Sequence, residues 1–270
     1  MAGVHGREVS MGERFEFGAN WQRFLEVLTP ERITHAEKSL CAMLRVNDLE
    51  GKRFLDAGCG SGLFSLAARR LGAQVYSFDY DPRSVACTCE LQRRYLPNDS
   101  AWIVEEGSVL DRNYLATLGQ FDIVYSWGVL HHTGAMWDAL GNVTPLVDSG
   151  GSLFIAIYND QGWISRYWST VKRLYVRAPW SRWLLLLTHA PYLLGLRWIA
   201  RACTGRLALS RGMSLWHDMV DWIGGYPFEV ARPEDVFGFM RDRGFNLSEL
   251  KTCGGRHGCN EYVFERGDVC

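Results

Sequence analysis

The chain has no charge excess, no paired-cysteine motif and no apolar run long enough to span a bilayer, and each absence removes a class of function. Its 29 Lys and Arg stand against 30 Asp and Glu, a formal charge of -1, so the overall electrostatics give no case for a nucleic-acid coat or a polybasic tail. Eight cysteines occur without a C-x-x-C pair. Cys253 and Cys259, with His257 between them, suit the ends of paired strands better than a metal, and no metal site is expected. No basic segment followed by an apolar run opens the sequence, which reads as a cytoplasmic chain with reduced thiols. The stretch WLLLLTHAPYLLGL is interrupted by Pro191 and falls short of the roughly 20 residues a span requires, so it is expected on a surface or over a pocket. What remains, 47% apolar and 22% charged residues, suits one large domain or one domain carrying an insertion.

Between Arg53 and Tyr158 short apolar runs alternate with longer helical stretches, the pattern of βαβ units and a largely parallel sheet. RFLDAG, AQVYSFD, AWIVEEG, FDIVYSWG and GGSLFIAIYN read as strands. GLFSLAARRLGA is a helix whose apolar residues share one face, and residues 81-96 and 134-148 are the next helices. Past residue 159 the alternation stops. Ser165 to Gly212 holds four tryptophans and nine Arg or Lys residues but no Asp or Glu, a basic aromatic helical insertion. RPEDVFGFMRDRGF then reads as a helix, and NLSELKTC, GGRHG and CNEYVFER as a hairpin whose turn lies at the carboxyl ends of the parallel strands, the edge where open α/β sheets bind ligands. The expected organisation is an N-terminal helical segment at 1-50, a ligand-binding core at 51-160, the insertion at 161-228, and a last helix with the closing hairpin at 229-270.

FLDAGCGSGLFSL carries the strongest signal. A strand ends at Asp56, a loop with Gly58, Cys59, Gly60 and Gly62 turns the chain, and a helix begins, so backbone N-H groups and bare backbone can approach a ligand. The spacing is G-x-G-x-G with an acid two residues earlier, not the dinucleotide G-x-G-x-x-G. Asp79 closes the second strand about twenty residues on, where an acid can accept from ribose hydroxyls, with Tyr80 beside it and Asp81 as its competitor. Asp111 follows the third strand with Val109 and Leu110 before it, placed to meet an adenine amine and ring.

In these residues the chain resembles the class I S-adenosylmethionine-dependent methyltransferases, closely over about 51-158, with a flavour nearest the small-molecule and quinone O-methyltransferase branch. The resemblance implies a Rossmann-like three-layer α/β sandwich with a mostly parallel seven-stranded sheet ending in an antiparallel hairpin. It implies S-adenosylmethionine as cofactor and S-adenosylhomocysteine as product. Gly58, Gly60 and Gly62 would wrap the methionine part, Asp56 reach its amino group, Asp79 hold the ribose and Asp111 the adenine amine. Ser126, Trp127 and Leu130 would line the sulfonium end, with His131 and His132 toward the acceptor. The Asn/Asp-Pro-Pro-Tyr/Phe motif of base and amide N-methylating enzymes is missing, since Ser126, Trp127, Gly128 and Val129 stand there. That leaves hydroxyl, carboxyl, amine or carbon acceptors, and makes nucleic acid an unfavoured partner.

His217 and Asp221 lie four apart, on one face if helical, and a carboxylate-held histidine is a competent general base. His217, His132 and His131 are therefore the catalytic candidates, each weighed against an ordinary packing role. Tyr158, Asn159, Trp222, Tyr226, Arg256, His257 and Asn260 are candidate acceptor contacts. Trp21 is expected to anchor an N-terminal segment folded over the cofactor. The insertion is read first as a lid over an apolar acceptor, with a surface for anionic lipid or for an acidic carrier protein through 165-212 as alternatives. A methyltransferase acting on a small-molecule oxygen is the leading expectation. A non-catalytic cofactor-binding protein and a methyltransferase of macromolecules are the competing ones.

Overall fold

The computed structural model describes residues 2-191, 193, 215-254 and 258-267. Three helices, α1 (Ala2–Ser10), α2 (Gly18–Glu26) and α3 (Pro30–Leu44), precede the first strand. The alternating segment follows as β1 (Arg53–Ala57), α4 (Leu63–Arg70), β2 (Gln74–Asp79), α5 (Pro82–Tyr95), β3 (Trp102–Glu106), α6 (Arg112–Thr117), β4 (Phe121–Trp127), α7 (Met136–Val143) and β5 (Val147–Tyr158). Each expected strand is present. The helix expected over 134-148 is shorter, because Pro145 converts its end to a 3-10 turn at Thr144–Leu146. Helices α8 (Trp163–Arg177), α9 (Arg182–Ala190) and α10 (Leu215–Gly224) belong to the insertion, and α11 (Pro233–Arg241), β6 (Phe245–Lys251) and β7 (Cys259–Arg266) close the chain.

The strands form one seven-stranded sheet in the order β3-β2-β1-β4-β5-β7-β6. β1 to β5 run parallel, and β7 lies antiparallel to both β5 and β6. From β1 the chain first builds outward to β3 and then returns to place β4 on β1's other side. The crevice at the carboxyl ends of β1 and β4 is therefore the topological switch point.

Two apolar layers cover the sheet. One packs α7 and α11 against it through Leu140, Val236 and Met240, and the other packs α3, α4 and α5 through Leu40, Leu66 and Leu91. Central strands buried on both faces read as continuous apolar runs, which is why FLDA and FIAIY were legible as strands. A third cluster, built on Trp168, Val171, Tyr175, Leu185, Met219 and Ile223, joins α8, α9 and α10 and also takes in Phe15 from the N-terminal segment.

Gly62 lets the first crossover start. It occupies the N-cap position of α4 with φ +77°, and a Cβ there would stand 2.9 Å from the Thr88 side chain of α5. Both the left-handed backbone and the contact forbid a side chain. Gly62→Ala should lower stability by about 2 kcal/mol or more, read as a reduced midpoint in urea with an unchanged slope.

Candidate functional site

A line of buried hydrogen bonds holds the end of β1. Trp102 Nε1 donates to Ser77 Oγ at 2.9 Å, Ser77 Oγ to Ser65 Oγ at 2.8 Å, and Ser65 Oγ to Asp56 Oδ2 at 2.5 Å. All four side chains are buried. They come from β3, β2, α4 and β1, so the line spans three of the seven strands. The indole can only donate, and an ionised Asp56 can only accept, so with Asp56 ionised every proton in the line points toward it.

Asp79, nineteen positions after Gly60, accepts from the Gly60 N-H at 2.9 Å and from the Asp81 N-H at 2.9 Å. Among the described residues no Lys, Arg or His lies within ion-pairing distance of Asp56 or Asp79. Burial pushes Asp56 up to about 7 against the Ser65 hydrogen bond, which pulls it down, and the neighbouring Asp79 raises it further. Asp79 is pushed up to about 6 by burial, partly offset by its backbone donors. A buried and a half-buried carboxyl group lacking a cation are the pattern of a site that receives a positively charged ligand.

The glycine loop differs from expectation in what it offers. The N-H groups of Gly58 and Cys59 both donate to the Phe78 carbonyl, and that of Gly62 to the Cys59 carbonyl. With Gly60 bound to Asp79, these four amides serve the loop itself, and bare backbone rather than a ring of free donors faces outward. A Cβ on Gly60 would lie 3.1 Å from Trp21 Nε1, so the indole rests on the loop where Trp21 was expected as an anchor. Cys59 is buried, and burial holds its thiol well above its ordinary value.

The segment before Trp21 straps across the same edge. Gly18 N-H donates to Asp81 Oδ2 at 2.8 Å, and His5 lies 3.8 Å from that carboxylate. Asp81, the competitor for the ribose, is thus spent on the strap and on capping α5 through Arg83 N-H. Arg14 donates to the carbonyl of His132 at 2.8 Å and lies 5.0 Å over the Tyr80 ring. Phe17 contacts the His132 ring at 4.9 Å.

Several expected contacts are placed elsewhere. Ser126 donates to the Ala57 carbonyl at 2.8 Å and locks β4 to β1. Leu130 and Val109 are enclosed in the core layer with Phe78, because the chain tucks apolar residues inward where it leaves each strand. Trp127 packs with the opposite layer, and Leu110 remains exposed, free to cover a ring. Asp111 caps α6, one oxygen accepting from the Asn113 and Tyr114 N-H groups; its second oxygen is the one left for an amine. Asn260 is buried, donating to Asn159 Oδ1 and accepting from Cys253 N-H, each at 3.0 Å. It ties the hairpin turn to the end of β5. Arg256 and His257 lie outside the described residues.

Around Tyr158, at the end of β5, the structure assembles an aromatic box. The Tyr158 ring stands 4.1 Å from His131, 5.1 Å from Phe228 and 5.5 Å from Trp222, and Trp168 stands 5.6 Å from Trp222. Lys172, fully buried, donates to the Trp222 carbonyl and lies over the Trp222 and Phe228 rings at 4.6 and 4.8 Å. Trp168 and Lys172 were legible only as members of the basic aromatic insertion, and Phe228 was not singled out from sequence. A gap of about 10 Å³ beside them is lined by Tyr158, Ser165 and Trp222 among others, and a cavity of about 370 Å³ adjoins it through Ser165 and Phe228. Tyr226 passes beneath Arg173 at 5.9 Å and accepts the Phe15 N-H at its carbonyl.

Both histidines of the pair are buried and neutral. Burial first, then His132 and Lys172, holds His131 well below the ordinary imidazole range. Burial pushes His132 down to about 3 even though its Nδ1 lies 2.6 Å from the Pro227 carbonyl. A carbonyl only accepts, so Nδ1 carries the proton and Nε2 the lone pair. His217 and Asp221 fall within α10, four apart, and their side chains lie outside the described residues.

A family model described as a methyltransferase domain matches residues 31–201. The chain is 31% identical over 172 residues to the ubiquinone biosynthesis O-methyltransferase of Rhodopseudomonas palustris, covering 61% of this chain and 63% of that protein. It is 29% identical over 150 residues to the enzyme of that name from Brucella ovis, covering 51% and 55%. The chain spans about half the length of the curated relatives it matches. Magnesium protoporphyrin IX methyltransferase from Synechocystis PCC 6803, solved with bound S-adenosylhomocysteine, superposes with a TM-score of 0.54 at 15% identity over 87% of this chain and 83% of that one. An O-methyltransferase family protein from Burkholderia thailandensis gives 0.56 at 13% identity over 88% and 58%. At these identities the likeness establishes the fold.

Asp56 is raised in the folded state, so it destabilises the ligand-free chain increasingly as pH climbs from its unfolded value toward about 7. Asp56→Asn should therefore gain stability over the parent at pH 8 by roughly 2 kcal/mol more than it does at pH 5.5, measured by denaturant titration. Ser77→Ala should instead cost about 1–3 kcal/mol by leaving the Trp102 indole N-H unsatisfied.

Proposed function

The chain belongs to the class I S-adenosylmethionine-dependent methyltransferases, and we propose that it methylates an oxygen, hydroxyl or carboxyl, of a small apolar or aromatic acceptor, leaving S-adenosylhomocysteine. The observation that carries the reading is the pair formed by the buried Asp56 and the half-buried Asp79 at the switch point, with no cationic side chain in ion-pairing range of either among the described residues. A ligand with an ammonium group, a sulfonium and ribose hydroxyl donors supplies what those carboxyl groups lack. Asp79 would hold the ribose, Asp56 the amino group directly or through water, and the uncapping oxygen of Asp111 the adenine amine, with Leu110 across the ring. The Tyr158 box supports an aromatic or apolar acceptor, and the relatives named as O-methyltransferases support oxygen.

When bound, the cofactor supplies a methyl group on a cationic sulfur, already activated for in-line displacement. The chain's part is alignment, exclusion of water and disposal of the acceptor proton. Trp21 and the strap close the loop side, while Trp168, Trp222 and Phe228 wall the acceptor side. Beside the narrow gap at Tyr158 and Trp222, and sharing Ser165 and Phe228 with it, a cavity of about 370 Å³ also lined by Trp137 and Arg166 offers room for a small acceptor. The neutral tautomer of His132 suits a hydrogen bond from Nε2, but its depressed pKa makes it a poor resting place for a phenolic proton. A hydroxyl acceptor would thus call on His217. A carboxylate acceptor needs no base.

Incubating the protein with methyl-labelled S-adenosylmethionine and a lysate, then partitioning the label, tests the reading. Label is expected in the organic or small-molecule fraction. Label confined to macromolecules would replace the acceptor class, and absence of label with cofactor bound would remove catalysis. Asp79→Ala should weaken cofactor binding by roughly 10- to 100-fold. Binding by the parent should strengthen as pH rises through about 6–7 while both carboxyl groups ionise; calorimetry showing flat affinity from pH 5.5 to 8 would exclude their ionised forms as the contacts.

A further inference from the structure

We propose that the outer face of α8 and α9 docks on an anionic lipid surface. Trp163, Tyr167, Trp180, Trp183, Leu184 and Leu187 are exposed on these helices, Trp180 at 80% and Trp183 at 69%. Their inner faces are already satisfied, because Trp168, Val171, Tyr175 and Leu185 build the third apolar cluster. A surface helix normally turns polar residues outward. Here the outward residues are aromatic, leucine, arginine or threonine, with no acid among them: Arg166, Arg173, Arg177 and Arg182 are all exposed.

Charge selects the occupant. From Ser165 to Gly212 the sequence has no Asp or Glu, so α8 and α9 supply only positive charge to this face, and acids meet it at the Arg166 end, where Asp160 and Glu229 share a groove with that arginine. A second copy of this chain would set arginine against arginine in an isologous contact, which is repulsive. Tryptophan and tyrosine prefer the boundary between headgroups and acyl chains, and arginine extends its charge to phosphate while its stem stays on the apolar side. Together they describe a helix pair lying in the interface plane. Among the described residues no helix is long and apolar enough to cross a membrane, which fits surface docking. The inference stands apart from the identity of the acceptor.

The test is co-sedimentation of the full chain with vesicles of phosphatidylcholine, with and without phosphatidylglycerol. Binding is expected to the anionic vesicles, weakened by added salt. Trp183→Ser with Leu187→Ser, and separately Arg166→Glu with Arg177→Glu, should each reduce it by about tenfold or more. These side chains are exposed, so melting temperature and cofactor binding should match the parent. In the parent, a brominated acyl chain should quench tryptophan emission, a readout independent of any variant. Absence of binding to anionic vesicles, binding untouched by the Trp183 and Leu187 changes, or self-association abolished by those changes would each overturn the proposal.

Discussion

One line of four buried side chains, ending on Asp56, fixes the geometry on which the site depends. An ionised Asp56 can only accept, so Ser65 donates to it and Ser77 to Ser65, while the Trp102 indole can only donate to Ser77. The line joins the outermost parallel strand to the central one and pins the first turn of α4 beneath the glycine loop. In low dielectric such a chain is strong when complete and costly when broken. Asp56 terminates that network at the end of β1, on the edge where the switch point lies, and burial raises its pKa to about 7.

Legibility in the sequence followed the range of the interactions concerned. The strands and the loop from Asp56 to Gly62 could be read because their signals are local: apolar runs, glycine spacing and an acid at a strand end. The closing hairpin and its turn at the carboxyl edge followed from counting strand directions. Ser65, Ser77 and Trp102 carried no such signal. Serine and tryptophan are common residues, and their partnership exists only once β1, β2 and β3 are in register, as the pairing of Asp56 with Ser77 shows. Lys172 was visible only as one member of a basic stretch, and its burial against Trp222 and Phe228 depends on how α8 meets α10. Ser126, Leu130 and Val109 illustrate the converse: their positions fit a motif, while their side chains turned to hold strands together or to fill the core.

The same burial that prepares the carboxyl groups limits the histidines. A low dielectric disfavours every ionised form, so it raises Asp56 and Asp79 and depresses His131 and His132. The two carboxyl groups are thereby weakened as acids and the two imidazoles as bases, so this histidine pair is unsuited to storing a proton. Chemistry that moves no proton, or moves it to a group outside this buried pair, is the chemistry such an environment favours.

The N-terminal strap touches both halves of the site at once. Gly18 is bonded to Asp81 and Trp21 rests on Gly60 at the cofactor side, while Arg14 and Phe17 hold His132 at the acceptor side. A single segment braced at two places makes the two ligands thermodynamically reciprocal. A ligand whose binding alters the strap's bonds on one side changes affinity on the other by a factor that is the same in both directions.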